Sequence, residues 1–179
     1  MKSKMSEKLA IPEGVSVKYE NRTLTVKGPK GEVSRSFFSH EVKISVEGNL
    51  ILLTCDVATR REQRMIFTFK SHLKNMITGV TTPWVYELRV CSSHFPMNVK
   101  VEGGMLKVKN FLGEKIDREC PIPSDVKVSV QGTQVRVESA SLERAGNMAS
   151  TIELTTRITK RDPRVFQDGI FIIKKGKEQ

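Results

Sequence analysis

Between residues 15 and 54 apolar and polar side chains alternate. Val15, Val17 and Tyr19 stand two apart, as do Leu24 and Val26, then Val42, Ile44 and Val46, then Leu50 and Leu52. A period of two sends successive side chains to opposite faces, which predicts short strands with one dry and one wet side. The breaks are turn formers: Glu20-Asn21-Arg22, Gly28-Pro29-Lys30-Gly31 and Glu47-Gly48-Asn49. They predict antiparallel pairing. The period then changes. Ile66, Phe69, Leu73, Met76, Ile77 and Val80 recur at spacings of three and four, one apolar stripe on a helix facing the sheet. Asp56 and Thr59 compete as its N-cap, and Thr59 has Glu62 three residues on, the spacing of a capping box. Arg60, Arg61, Arg64, Lys70 and Lys74 ride the same helix, mostly off the stripe. Pro83 ends the unit.

The plan then repeats. Ile11-Pro12-Glu13-Gly14-Val15-Ser16-Val17 returns as Phe95-Pro96-Met97-Asn98-Val99-Lys100-Val101, and Val42-Lys43-Ile44-Ser45-Val46-Glu47-Gly48 as Val126-Lys127-Val128-Ser129-Val130-Gln131-Gly132. Both pairs lie 84 residues apart, and two matches at one offset mark a duplicated module. Residues 84–90 alternate as a strand joining the copies. Val99 and Val101, Leu106 and Val108, Val126 to Val130, and Val135 and Val137 supply the second set of strands. Ser139 or Ser141 caps a second helix that carries Leu142, Ala145, Ala149 and Ile152. Thr151, Thr155 and Thr156 weaken its intrinsic propensity, so packing must hold it. Ile170 to Ile173 is a last short apolar strand. The expected fold is α+β, two tandem duplicated domains at residues 1–84 and 85–179. Each is a small, mostly antiparallel sheet with one helix packed on it, large enough to form a core without disulfides or metal.

Charge changes the picture from scaffold to binder. The 179 residues carry a net charge of +10, which favours a polyanion, nucleic acid before an anionic membrane. Residues 1–84 hold fourteen Lys and Arg against eight Asp and Glu, and residues 85–179 sixteen against twelve. Charge alone therefore does not choose between the halves. No run reaches the roughly 20 apolar residues of a membrane-spanning helix, and no apolar signal core follows the basic start. The chain reads as cytoplasmic. Cys55, Cys91 and Cys120 form no CxxC pair and read as reduced, mostly buried thiols.

Catalytic chemistry finds no constellation. His40, His72 and His94 sit in no HExxH motif and at no triad or metal spacing. His94 reads as a surface or hinge residue. Gly28-Pro29-Lys30-Gly31 lacks the P-loop spacing and precedes a strand rather than a helix, so it reads as a hairpin turn. The cysteines have no metal-ligand spacing. The C-terminal stretch differs. Arg157, Lys160, Arg161, Arg164, Lys174 and Lys175 crowd into about twenty residues against Asp162 and Asp168, and Pro163 and Gly169 make the segment a turn-rich loop. Phe166 sits among them. Such a segment suits RNA, where guanidinium groups clamp phosphates and an exposed ring stacks on an unpaired base. A solvated basic loop with Phe166 as a core anchor fits the pattern equally, and anchoring is the commoner role for a loop aromatic. The turn from Asn110 to Lys115, beside Lys109, offers a second polar tip, either RNA-contacting or a plain hairpin.

Several segments carry a family resemblance. They are Val26-Lys27-Gly28-Pro29-Lys30-Gly31, Asn75-Met76-Ile77-Thr78-Gly79-Val80, His94-Phe95-Pro96, Lys109-Asn110-Phe111-Leu112-Gly113-Glu114-Lys115, and the run from Arg161-Asp162-Pro163-Arg164 to Ile172. Together, in this order, they resemble the universal large-subunit ribosomal protein six family, ribosomal protein nine in eukaryotic naming, in its archaeal and eukaryotic branch. The resemblance implies a structural, non-catalytic protein without cofactor or small-molecule substrate, cytoplasmic and bound to the ribosome. It implies two similar domains, the second doing most of the binding to large-subunit ribosomal RNA. It also implies a place near the stalk base and the factor-binding region, among neighbouring large-subunit proteins. Carried over by position, the RNA contacts are Lys109, Asn110 and Lys115, Arg144 and Asn147, Arg157, Lys160, Arg161, Arg164 and Phe166, with Lys174 and Lys175 beyond. One departure stands at Leu154, where the family pattern usually has glutamine. Two readings independent of the resemblance remain: a free-standing RNA chaperone or regulator, and a protein-interaction module working through sheet edges.

Overall fold

The computed structural model describes residues 3–162 and 164–176. Met1 and Lys2 of the basic start, Pro163 of the basic loop and residues 177–179 of the lysine-rich tail lie outside the described residues. The chain forms two compact units, Met1–Pro83 and Trp84–Gln179.

In the first unit the elements follow as β1 (Ser3–Ala10), β2 (Ser16–Glu20), β3 (Thr23–Gly28), β4 (Gly31–Ser36), β5 (Lys43–Glu47), β6 (Leu50–Ala58) and α1 (Arg60–Thr81). They make two antiparallel three-stranded sheets, ordered β1-β6-β5 and β2-β3-β4. Alternation sets the faces: Leu24 and Val26 of β3 and Ile51, Leu53 and Cys55 of β6 are buried, while their neighbours stay wetter. Asn21 and Arg22 close the β2–β3 hairpin with φ of 48° and 61°, the left-handed pair that a two-residue turn between twisted strands requires. Thr59, not Asp56, caps α1. Its hydroxyl accepts the Arg61 N–H at 3.3 Å, and Glu62 accepts the Thr59 N–H at 2.9 Å, a reciprocal capping box. Asp56 pairs instead with Lys43. The stripe buries Ile66, Leu73, Met76, Ile77 and Val80 against the sheets. From Ser3 the basic start, to which the sequence reading gave no secondary structure, is strand β1. Met5 and Leu9 pack on the core, and Leu9 pairs with Ile51 of β6.

The second unit runs β7 (Trp84–Cys91), β8 (Asn98–Glu102), β9 (Met105–Lys109), β10 (Arg118–Pro121), β11 (Lys127–Gln131), β12 (Gln134–Ser139), α2 (Leu142–Thr155) and β13 (Gly169–Lys174). Its sheets are ordered β10-β9-β8 and β11-β12-β7-β13. The order repeats that of the first unit, with β7 in the place of β1 and β13 added along the free edge of β7. Ser141 is the cap of α2, accepting the Arg144 N–H. Ser139 is buried and donates to the Asp125 carbonyl at 2.9 Å. Met148 joins Ala145, Ala149 and Ile152 in the core, while Leu142 is half-buried. Leu88, Leu106, Phe111, Val135, Ile152 and Ile170 are fully buried in one cluster.

Candidate nucleic-acid interface

Three loops of the second unit converge where α2 ends: residues 92–97 after β7, 110–117 after β9, and 156–168 between α2 and β13. The second loop is built around Phe111, which is 1% exposed. Asn110 and Leu112 take left-handed φ of 58° and 49°, so the chain doubles back over the ring as a short 3-10 turn. Asn110 Nδ2 donates to the Pro96 carbonyl at 3.1 Å, tying this loop to the first. Arg118, at the start of β10, joins it to the third. Its guanidinium carbon lies 4.2 Å from the Phe111 ring centroid. Nε and Nη2 donate to the Glu114 carboxylate at 2.9 and 2.7 Å. Nη1 donates to the carbonyls of Thr155 and Arg157 at 2.8 and 3.2 Å. A cation on the last carbonyls of a helix satisfies groups that have no intrahelical partner and complements the helix dipole. The bonds from Arg118 hold the Glu114 carboxyl below its usual value, opposed by burial, and the Arg118 and Arg161 charges lower it further.

Asp168 closes the third loop. It is 2% exposed, and Oδ1 accepts the N–H groups of Ser93 and His94 at 2.5 and 3.1 Å. Oδ2 lies 2.5 Å from His94 Nδ1. Burial pushes the Asp168 carboxyl up, but the hydrogen bonds from His94 and Ser93 and the His94 charge outweigh it, leaving it lowered to about 2. A carboxylate buried with this many donors stays ionised. The His94 ring stacks on Phe166, centroids 4.8 Å apart and planes 24° apart. The Arg161 guanidinium carbon sits 4.7 Å from the same ring's centroid. Thr156 ties the loop ends, its hydroxyl accepting the Ile170 N–H at 2.9 Å. Asp162 accepts the backbone and side-chain N–H groups of Arg164, and these bonds lower the Asp162 carboxyl.

The structure thus brings Lys109, Asn110, Lys115, Arg157, Lys160, Arg161, Arg164 and Phe166 to one end of the unit. All are exposed except Phe166, which is half-buried between the two roles its sequence left open. Arg144 and Asn147 lie elsewhere, near the start of α2. Eleven residues separate Arg144 from Thr155, about 17 Å of helix. Lys174 pairs in register with Glu87, midway along β7, and Lys175 follows it. All four are exposed. Arg144 pairs with Asp125 at 3.4 Å, and Lys109 with Asp117 at 3.4 Å.

The chain matches the family described as ribosomal protein L6 over residues 11–82 and again over residues 95–169. The chain belongs to that family. The two matched stretches fall one in each compact unit, the duplication seen in both sequence and topology. Among its relatives, the large ribosomal subunit protein uL6 of Nanoarchaeum equitans is 49% identical over 94% of this chain and 92% of that protein. The uL6 proteins of Desulfurococcus amylolyticus and Methanosarcina mazei are 42% and 41% identical, over 96% and 98% of this chain and 95% and 100% of theirs. Membership makes the chain a ribosomal protein, a structural component and not an enzyme. No helix among the described residues is long and apolar enough to cross a membrane, and no group of three or more His, Cys, Asp or Glu residues among them could hold a metal ion.

The roles of three residues that build this end, Arg118, His94 and Asp168, are not legible in the sequence. Arg118 lies in β10, a strand that the alternation did not mark, in phase with buried Cys120. His94 and Asp168 are 74 residues apart, and no spacing rule joins them. The one signal is indirect: a turn-rich basic loop without helix propensity must be anchored by something, and Asp168 is the acid that stands beside the start of the last strand.

Proposed function

We propose that this protein is a structural constituent of the large ribosomal subunit and holds large-subunit ribosomal RNA near the stalk base and the factor-binding region. The observation that carries the reading is the convergence of three loops of the second unit, which gathers Lys115, Arg157, Lys160 and Arg161 with no carboxylate ion-paired to any of them among the described residues. Cations on a rigid frame with no carboxylate bonded to them neutralise phosphates, release counterions and favour one RNA shape over others. The named relatives, large ribosomal subunit proteins that the chain matches over 92–100% of their length, support the same assignment. Lys109, Asn110 and Arg164 complete this face, with Phe166 against Arg161, and Arg144, Asn147, Lys174 and Lys175 make contacts elsewhere on the unit. Neighbouring large-subunit proteins are the remaining partners.

Ultraviolet cross-linking in cells, with sequencing of the RNA and mapping of the linked peptides, tests this. The expected result is one region of large-subunit ribosomal RNA linked through residues 107–175. Cross-links scattered over many messages would replace it with the RNA-chaperone reading, and none at all with the protein-interaction module.

A further inference from the structure

The cations of the three-loop end differ in what they already hold. Arg118 directs its donors at Glu114 and two helix-end carbonyls. Arg164 directs its Nε and Nη2 donors at Asp162. Lys109 faces Asp117. Arg161 is exposed and has no ion-paired carboxylate among the described residues; its contact is the face of Phe166. A guanidinium lying on a ring keeps its plane fixed and its N–H edge open, the arrangement that suits a bidentate oxyanion. The ring is itself held. His94 stacks on Phe166, Asp168 holds the His94 ring at Nδ1, and the N–H groups of Ser93 and His94 hold Asp168. The series runs inward from solvent to a carboxylate that is 2% exposed.

We propose that Arg161 is the guanidinium through which this end of the second unit meets an RNA phosphate, and that Phe166, His94 and Asp168 are positioning residues that act only through it. The proposal rests on the RNA-binding reading above. Phe166 then offers no stacking surface of its own to a base; it holds the arginine that does the binding. Fixing a long, flexible side chain beforehand removes an ordering cost that binding would otherwise meet, so the three inner residues raise affinity without touching RNA.

A double-mutant cycle on the full-length chain tests it, with large-subunit ribosomal RNA as the probe, filter binding at one fixed salt concentration, and a thermal melt of each variant. Arg161→Ala should weaken binding about tenfold, the usual scale for one charge-assisted hydrogen bond. Phe166→Leu and His94→Ala should each weaken it about threefold to tenfold in the natural background, and by less than about twofold when Arg161 is already alanine, because interactions in series are not additive. If Phe166→Leu fails to fold, His94→Ala, at a partly exposed side chain, closes the same cycle. Equal losses in both backgrounds would overturn the relay and leave the RNA-binding face standing. An Arg161→Ala variant that binds as tightly as the natural chain, with cross-links still mapping to residues 107–175, would also overturn it. Absence of RNA binding by the natural chain would overturn the RNA reading and the relay together.

Discussion

The two copies solve the end of their helix differently. In the first, the β3–β4 hairpin is as short as a hairpin can be, with only Pro29 and Lys30 between the paired Gly28 and Gly31. It folds down onto the last turns of α1. The Lys30 N–H donates to the Val80 carbonyl at 3.0 Å, and Gly28 sits so close that a Cβ would lie 2.8 Å from the Val80 side chain. In the second copy the matching hairpin opens into residues 110–117, and the helix stops at Thr155 after 14 residues where α1 runs for 22. The last two turns of α1 correspond to the start of the basic loop. What a backbone N–H does for Val80, the Arg118 side chain does for Thr155 and Arg157. One copy seals its helix end with its own hairpin. The other lengthens the hairpin, shortens the helix and so frees two loops at the same place. Duplication supplied the scaffold, and the difference in loop length supplied the basic face proposed to bind RNA.

The sharpest way to break this comparison is to remove what holds the enlarged hairpin. Phe111→Ala empties a fully buried site under Arg118 and should cost the second unit about 3–5 kcal/mol. Native-state hydrogen exchange should show the loss in the amides of residues 84–176 and leave those of the first unit protected. A uniform loss across both would mean that the copies do not carry separate cores. Next in size is a loss of function. Charge reversal of Arg161 and Arg164 to Glu should weaken binding to large-subunit ribosomal RNA about a hundredfold, the scale for removing two charge-assisted hydrogen bonds. Lys18 and Arg22 reversed in the first unit should change it less than about threefold. Arg161→Glu alone should account for at least half of the first effect in free energy, since Arg164 is already paired with Asp162. Equal losses from the two double variants would remove the functional asymmetry between the copies.

What could be read in the sequence was what depends on near neighbours. Period-two alternation marked β2, β3, β5 and β6, the three-four spacing from Ile66 to Val80 marked the core face of α1, and Thr59 with Glu62 marked its start. The fixed offset of 84 residues marked the duplication. The basic loop could be located from charge and turn residues because both are local. What could not be read depends on pairs far apart in the chain. β1 mixes Met5 and Leu9 with Lys4, Glu7 and Lys8, and only β6, some fifty residues later, makes it a strand. Gly28 reads as a turn glycine, yet Val80 is what restricts the site. Asp168 and His94 look like two unrelated polar residues until topology lays the end of β7 beside the start of β13. Sequence separation hid the frame of the site while composition showed its surface.

Gly28 gives the third test. Alanine there would place a Cβ 3.0 Å from the Val80 carbonyl oxygen as well as against its side chain. A backbone oxygen engaged with Lys30 cannot step aside cheaply. The cost should be about 1–3 kcal/mol, the range for overpacking, read as a lower midpoint in urea for the first unit. RNA affinity should stay within about twofold, because the proposed binding face belongs to the other copy. A stabilised Gly28→Ala variant would mean that the hairpin does not bear on the helix, and the contrast between sealed and opened helix ends would fail.

The smallest expected difference lies at the other end of the helices. Thr59 and Glu62 cap α1 in both directions, hydroxyl to backbone and carboxylate to backbone. Ser141 caps α2 with its hydroxyl at 3.4 Å, but its own N–H goes to the Ser139 hydroxyl at 3.2 Å, because the third helical residue is Arg144, which faces Asp125 and has no acceptor to return. Thr59→Ala should therefore cost about 1–2 kcal/mol and Ser141→Ala about 0.5 kcal/mol, the upper and lower parts of the range for N-caps. Amide exchange in the first turn of each helix would measure both. Unequal costs would mean that α2, threonine-rich and weakly capped, owes its order to the strands β7, β12 and β13 beneath it. Equal costs would mean that the single hydroxyl bond does as much as the reciprocal pair, and that the two helices begin alike however differently they end.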